Sequence, residues 1–151
     1  MRLVARWAVI ITSLICLTVF DCLAYPLNDA WVVGELYQNW KQAFTFLTIF
    51  ISMLVGLATH SPACMAAFLL LAWSGLEDLL FFLLMGWDLP GRWPWLDDAI
   101  LIWPKPVTLD SILISSTLWA IISMLLTSLE NSRPKNIQVS GNAEKQNPRA
   151  S

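Results

Sequence analysis

The chain has 151 residues, 57% hydrophobic and 13% charged, with a formal net charge of −2. Soluble domains usually carry about 25% charged residues, so this composition offers too little polar surface to cover a core in water and excludes an ordinary soluble domain. No basic stretch follows a nucleic-acid backbone, and no nucleic-acid partner is expected.

Four apolar runs follow in chain order. They cover about 7–25, 43–59, 63–87 and 111–129, each near the roughly 20 residues that a transmembrane helix needs. The first run is interrupted by Asp21 and has a second reading. Arg2 and Arg6 precede an apolar stretch, and Cys22-Leu23-Ala24 is a passable cleavage site, the pattern of a secretory signal over residues 1–24. Its retention as a span is the reading taken. Residues 25–41 form a polar loop. His60-Ser61-Pro62 is short enough to force spans two and three into an antiparallel hairpin, with Pro62 suited to the first turn of the third helix.

The segment 88–107 holds four prolines and three of the nine tryptophans. Leu96, Ile100 and Trp103 fall on one helical face, which predicts a short helix lying at the interface, where Trp is favoured. The tail 130–151 is polar, lacks apolar periodicity and is expected to be disordered. The fold class is therefore all-α: one integral-membrane domain over residues 1–129, an antiparallel four-helix transmembrane bundle with a short interfacial helix between spans three and four. Six basic residues lie on the side of the termini and three on the other, which places both termini in the cytoplasm by the positive-inside tendency. The expected location is a bacterial or archaeal plasma membrane.

Small and polar residues recur every three or four positions in each span: Ala8, Thr12 and Cys16; Thr48, Ser52, Gly56 and His60; Ala67, Ser74, Gly75 and Asp78; Ser116, Ala120, Ser123 and Thr127. Such stripes are packing seams between membrane helices. The three cysteines have neither Cys-x-x-Cys spacing nor a His cluster. They read as small spacers rather than disulfides or a metal site. No metal and no cofactor are expected.

Glu77 and Asp78 carry the strongest chemical signal. They stand two and three residues past the midpoint of span three, about 3–5 Å along the axis. An acid at that depth costs about 2.5–3.5 kcal/mol, and no Lys or Arg lies in any span core. Their roles are read as catalytic acid, proton relay or cation site, against a packing acid bonded to a neighbouring hydroxyl. Asp21 and Asp110 lie near the far ends of spans one and four. With Asp88, Asp97 and Asp98 they suggest an acidic mouth above the pair, and Trp73, Phe81 and Trp119 are candidate lining residues of a substrate or ion path.

Gly75-Leu76-Glu77-Asp78-Leu79-Leu80-Phe81-Phe82 resembles the acidic motif of the small membrane-embedded carotenoid (lycopene) cyclases, a Pro-x-Glu-Glu stretch followed shortly by Phe-Phe. Gly75 stands where that family has Pro, and Asp78 where it has the second Glu. The resemblance covers eight residues and implies that Glu77 and Asp78 are the acid pair that protonates a polyene end group before ring closure.

Three functions stay open. The first is a small accessory or assembly subunit of a larger membrane complex, or a homo-oligomer, with functional intramembrane carboxylates. The second is a membrane-embedded enzyme acting on a lipid or isoprenoid ligand by carboxylic-acid catalysis. The third is a proton- or ion-coupled transporter or channel subunit. The lipid bilayer is a partner in all of them.

Overall fold

A computed structural model describes residues 3–28 and 35–132, with side chains described over 3–24 and 42–132. The helices are α1 (Leu3–Asn28), α2 (Glu35–Thr59), α3 (Pro62–Leu71), α4 (Glu77–Met85) and α5 (Leu109–Asn131). A π-helical turn, Ala72–Leu76, joins α3 to α4, so the two make one interrupted span. Four stretches are long and apolar enough to cross a membrane: Leu3–Ala24, Gln42–Thr59, Pro62–Met85 and Leu109–Asn131. The protein is thus an all-α, four-span membrane bundle. α1 and α2 run on into the segment expected to be a polar loop. Hydropathy marks where the lipid ends, whereas backbone hydrogen bonding can continue into water. Most of the polar tail expected to be disordered lies outside the described residues.

The interrupted third span is central, packing against α1, α2 and α5, whereas α1 and α5 touch sparsely. Three of the four expected seams are turned inward. Thr48 and Ser52 of α2, Ala67, Ser74 and Gly75 of the third span, and Ser116, Ser123 and Thr127 of α5 are all buried. Their hydroxyls are satisfied largely by carbonyls of their own helices, as from Thr48 to Phe44 O at 2.8 Å and from Thr127 to Ser123 O at 2.9 Å, which hydrocarbon requires of every polar group. In α1 the expectation fails. Ala8, Thr12 and Cys16 are exposed, and Ile10, Leu14 and Leu17 are buried in one cluster with Cys64, Ala67 and Ala72. The small residues of the third span already provide the hollow, so α1 supplies bulk rather than a second small surface.

At one end, the base of the bundle, α2 closes with Ser61 N–H on Gly56 O (3.1 Å), around His60 at φ 49°. This 6→1 bond ends the helix through a left-handed residue. Ser61 caps α3 by accepting the Cys64 N–H at 3.1 Å, and its hydroxyl donates to the Glu130 carboxylate. Arg6 of α1 pairs with the same carboxylate at 3.4 Å. One acid therefore ties three elements together.

The central interruption is at Gly75, with φ 86° and ψ 0°. This left-handed conformation is strained for any residue with a Cβ. A Cβ there would also lie 3.1 Å from Ile102 Cδ1 and 3.2 Å from both Ile112 γ-carbons. Gly75→Ala is expected to destabilise the protein by about 1–3 kcal/mol, read by denaturant titration in mixed micelles. Gly86→Ala, also at positive φ but with nothing within 4 Å of a new Cβ, should cost less.

Candidate functional site

The break puts Glu77 and Asp78 in the first turn of α4. Adjacent helix residues point about 100° apart, and the two acids go to different surroundings. Glu77 is 5% exposed, and its Oε1 has no hydrogen-bond partner. Asp78 is half-buried and accepts the Trp95 indole N–H at 3.2 Å. The nearby hydroxyls are otherwise engaged. Ser74 and Ser116 bond each other at 3.3 Å, and Thr18 donates to Leu14 O at 3.1 Å. Packing by a hydroxyl, the plainest expectation for such an acid, is not what holds Glu77 Oε1. Among the described residues, the charges that act on Glu77 through space are acidic: Asp78 beside it and Asp21 from α1. Among the described residues no three His, Cys, Asp or Glu side chains come together as metal ligands.

The segment after α4 folds as a cap. The short helix expected there is present as a single 3-10 turn, Pro94–Leu96. Of the expected face, Leu96 packs against the buried cluster of the cap, while Ile100 is 96% exposed and Trp103 71%. Trp93, Ile102 and Val107 are buried together with Ile112 of α5. The reason is tertiary. Ser115 of α5 accepts the Trp103 N–H at 2.9 Å and donates to its carbonyl at 3.0 Å, while the Trp119 indole donates to Leu101 O at 2.7 Å. These bonds fix the chain so that Ile102, between them, points inward over Gly75. Lys105 Nζ gathers the Leu96 and Ala99 carbonyls at 2.9 and 2.8 Å. The peptide bonds before Pro104 and Pro106 are cis. Phe82 lies 4.8 Å from Trp93 and stacks on Trp95 at 6.2 Å, and Phe81 and Trp87 extend this aromatic group.

The structure therefore brings Glu77, Asp78 and Asp21 together at the break, with Phe81 buried one turn further along α4. Trp73 turns outward and is 42% exposed, and Trp119 is committed to the cap. A shallow lateral groove runs along α5, lined by Leu113, Ile114, Thr117, Leu118 and Ile121. None of the expected lining residues is among them. Asp110 is exposed in the first turn of α5, beside the Thr108–Ser111 capping box. Asp88 and Asp98 are likewise exposed. Trp95, as the partner of Asp78, carried no signal in the sequence beyond the richness of its segment in Trp. Comparison with protein-family models, with curated proteins and with solved structures found no match.

Asp97 is the electrostatic clasp of the cap. It accepts the Val107 N–H at 2.8 Å and pairs with Arg92 at 3.2 Å. The backbone N–H, followed by the guanidinium, holds its carboxyl below the ordinary value of 3.8. A depressed acid stabilises the fold above its unfolded pKa and loses that contribution as pH falls through the folded one. The protection of amides 92–107, their exchange relative to the intrinsic rate at each pH, should therefore hold above about pH 4 and fall below it. In Asp97→Asn the protection should be lower at neutral pH and nearly unchanged by acidification.

Proposed function

We propose that the protein is a small membrane subunit whose third span presents a proton-binding carboxyl, Glu77, inside the bundle, working within a larger membrane complex or a homo-oligomer. The observation that carries this reading is the burial of Glu77 at a break in its helix, with Oε1 unpartnered and, among the described residues, only other acids acting on it. An ionised carboxylate in such a place, with no cation beside it among the described residues, costs several kcal/mol. The charge has to be balanced, and a proton needs no ligand shell. A group used only for packing would have a hydroxyl or backbone partner. Interruptions of this π type inside helices are frequent at functional sites. The termini are read as cytoplasmic from the basic residues that flank the spans, which puts the cap on the outer face.

One observation favours a second reading. The group formed by Phe81, Phe82, Trp87, Trp93 and Trp95 begins one turn beyond Glu77, and aromatic faces stabilise cations. Together with the Gly75–Phe82 resemblance, this suits an acid that protonates a lipid or isoprenoid. Conversion of a linear polyene by the protein in nanodiscs, lost in Glu77→Gln, would establish it.

The proton-binding reading is tested by infrared difference spectroscopy of the protein in nanodiscs after a pH jump. A carboxyl band that responds in the native protein should be missing from Glu77→Gln and retained in Asp110→Asn. An identical band in native protein and Glu77→Gln would remove Glu77 from the role.

A further inference from the structure

We propose that protons reach Glu77 from the cap end of the bundle along the seam between α1 and α4, past Cys22, with Asp21 as the residue that passes them between Glu77 and water. The inference rests on the proton-binding reading of Glu77 and adds its route.

The register of the helices carries the first step. Arg6 and Ser61 meet on the Glu130 carboxylate, so α1 and the third span start level at the base. Both then run the same way. Asp21 stands fifteen residues beyond Arg6, and Glu77 sixteen beyond Ser61. At 1.5 Å per residue these are about 22 and 24 Å of rise, which brings the two acids to one depth on helices that pack together. Their interaction through space agrees, and Cys22 also lies within the field of Glu77.

Among the described residues, the approaches over the third span and α5 and on the Asp78 side are covered. Above the third span and α5, the cap fills the way with Trp93, Ile102 and Val107, all buried, and Ile102 sits directly over Gly75. On the Asp78 side the Trp95 indole occupies Oδ1. Along α1, by contrast, Asp21 and Cys22 are each half-buried. They lead from the surface toward a buried acid whose Oε1 has no partner.

The chemistry needs no co-reactant. The O–H bond at Glu77 breaks as one forms on an Asp21 oxygen, directly or through a water. The negative charge moves to Glu77, and Asp21 then releases the proton to water. Two carboxyls at one depth share a proton more readily than they carry two charges. Among the described residues, the groups facing Glu77 are Asp21 and Cys22 from α1 and Asp78 from its own helix, while Arg92 and Lys105 are held within the cap by Asp97 and by carbonyls.

Cys22 provides the probe. Native protein in nanodiscs is treated with a cationic or an anionic water-soluble methanethiosulfonate, and each cysteine is followed by mass spectrometry. Cys22 should react, and about tenfold or more faster with the cationic reagent, as an acidic passage concentrates cations. Asp21→Asn should bring that ratio toward one and slow the infrared response of Glu77 at least tenfold, while Asp21→Glu should restore both. An unreactive Cys22, equal rates for the two reagents, or an unchanged Glu77 response in Asp21→Asn would each overturn the route. The response of Glu77 in the native protein is read in the same experiment. A Glu77 band that responds alongside an inert Cys22 refutes the route alone, whereas a missing Glu77 band refutes the proton-binding reading beneath it.

Discussion

In hydrocarbon no backbone N–H or C=O can turn to water, so a helix can break inside a membrane only where protein covers the break. The interruption at Gly75 meets that condition, and much of the molecule is arranged around it. Ile112 of α5 and Ile102 of the cap press on the glycine. Ser116 donates to the Ser74 carbonyl at 3.3 Å. Ile102 reaches Gly75 because Ser115 and Trp119 hold the backbone on either side of it. The cap, the α5 seam and the glycine are thus mutually dependent. Remove the break and the cap loses the recess into which it packs.

The same break starts a new helix, and the acids stand at its first turn. Two buried or partly buried glutamates in this bundle show how differently an acid can be accommodated. Glu130, at the base, has the Arg6 guanidinium and the Ser61 hydroxyl on one oxygen. It is a fastener, and its charge is compensated where it sits. Glu77 is more deeply buried, has an unpartnered oxygen and faces other acids. Nothing in its setting resembles a fastener. This contrast within one chain is the physical ground for reading Glu77 as a site that exchanges its proton.

The sequence made the four spans legible because hydropathy counts residues in lipid, and span length leaves little freedom. It also singled out Glu77 and Asp78, because acids are rare inside an apolar run. Seams were legible in α2, the third span and α5, where small and hydroxyl residues repeat. The stripe in α1 misled, because packing needs small residues on only one of two facing helices, and Cys64, Ala67 and Ala72 already supply them. The conformation of the cap was hidden for another reason. Its anchors are Ser115 and Trp119, more than ten residues from the carbonyls they hold, and no local periodicity records such pairs. A glycine in span three was visible, but its positive φ was not. The approach of Asp21 to Glu77 depends on register, which the Arg6–Glu130–Ser61 junction sets at the far end of the bundle.

Glu77 is read as a protonation site set apart from the chain's other glutamates, Glu35, Glu130 and Glu144. The most direct measurement is a pH titration by carbon-13 NMR of protein labelled at the glutamate side-chain carboxyl, in nanodiscs, with Glu77→Gln assigning the signal. The Glu77 resonance is expected to titrate in a range of its own and to move to a new one in Asp21→Asn. A Glu77 resonance that titrates together with those of Glu35 and Glu144, and ignores Asp21, would contradict that reading.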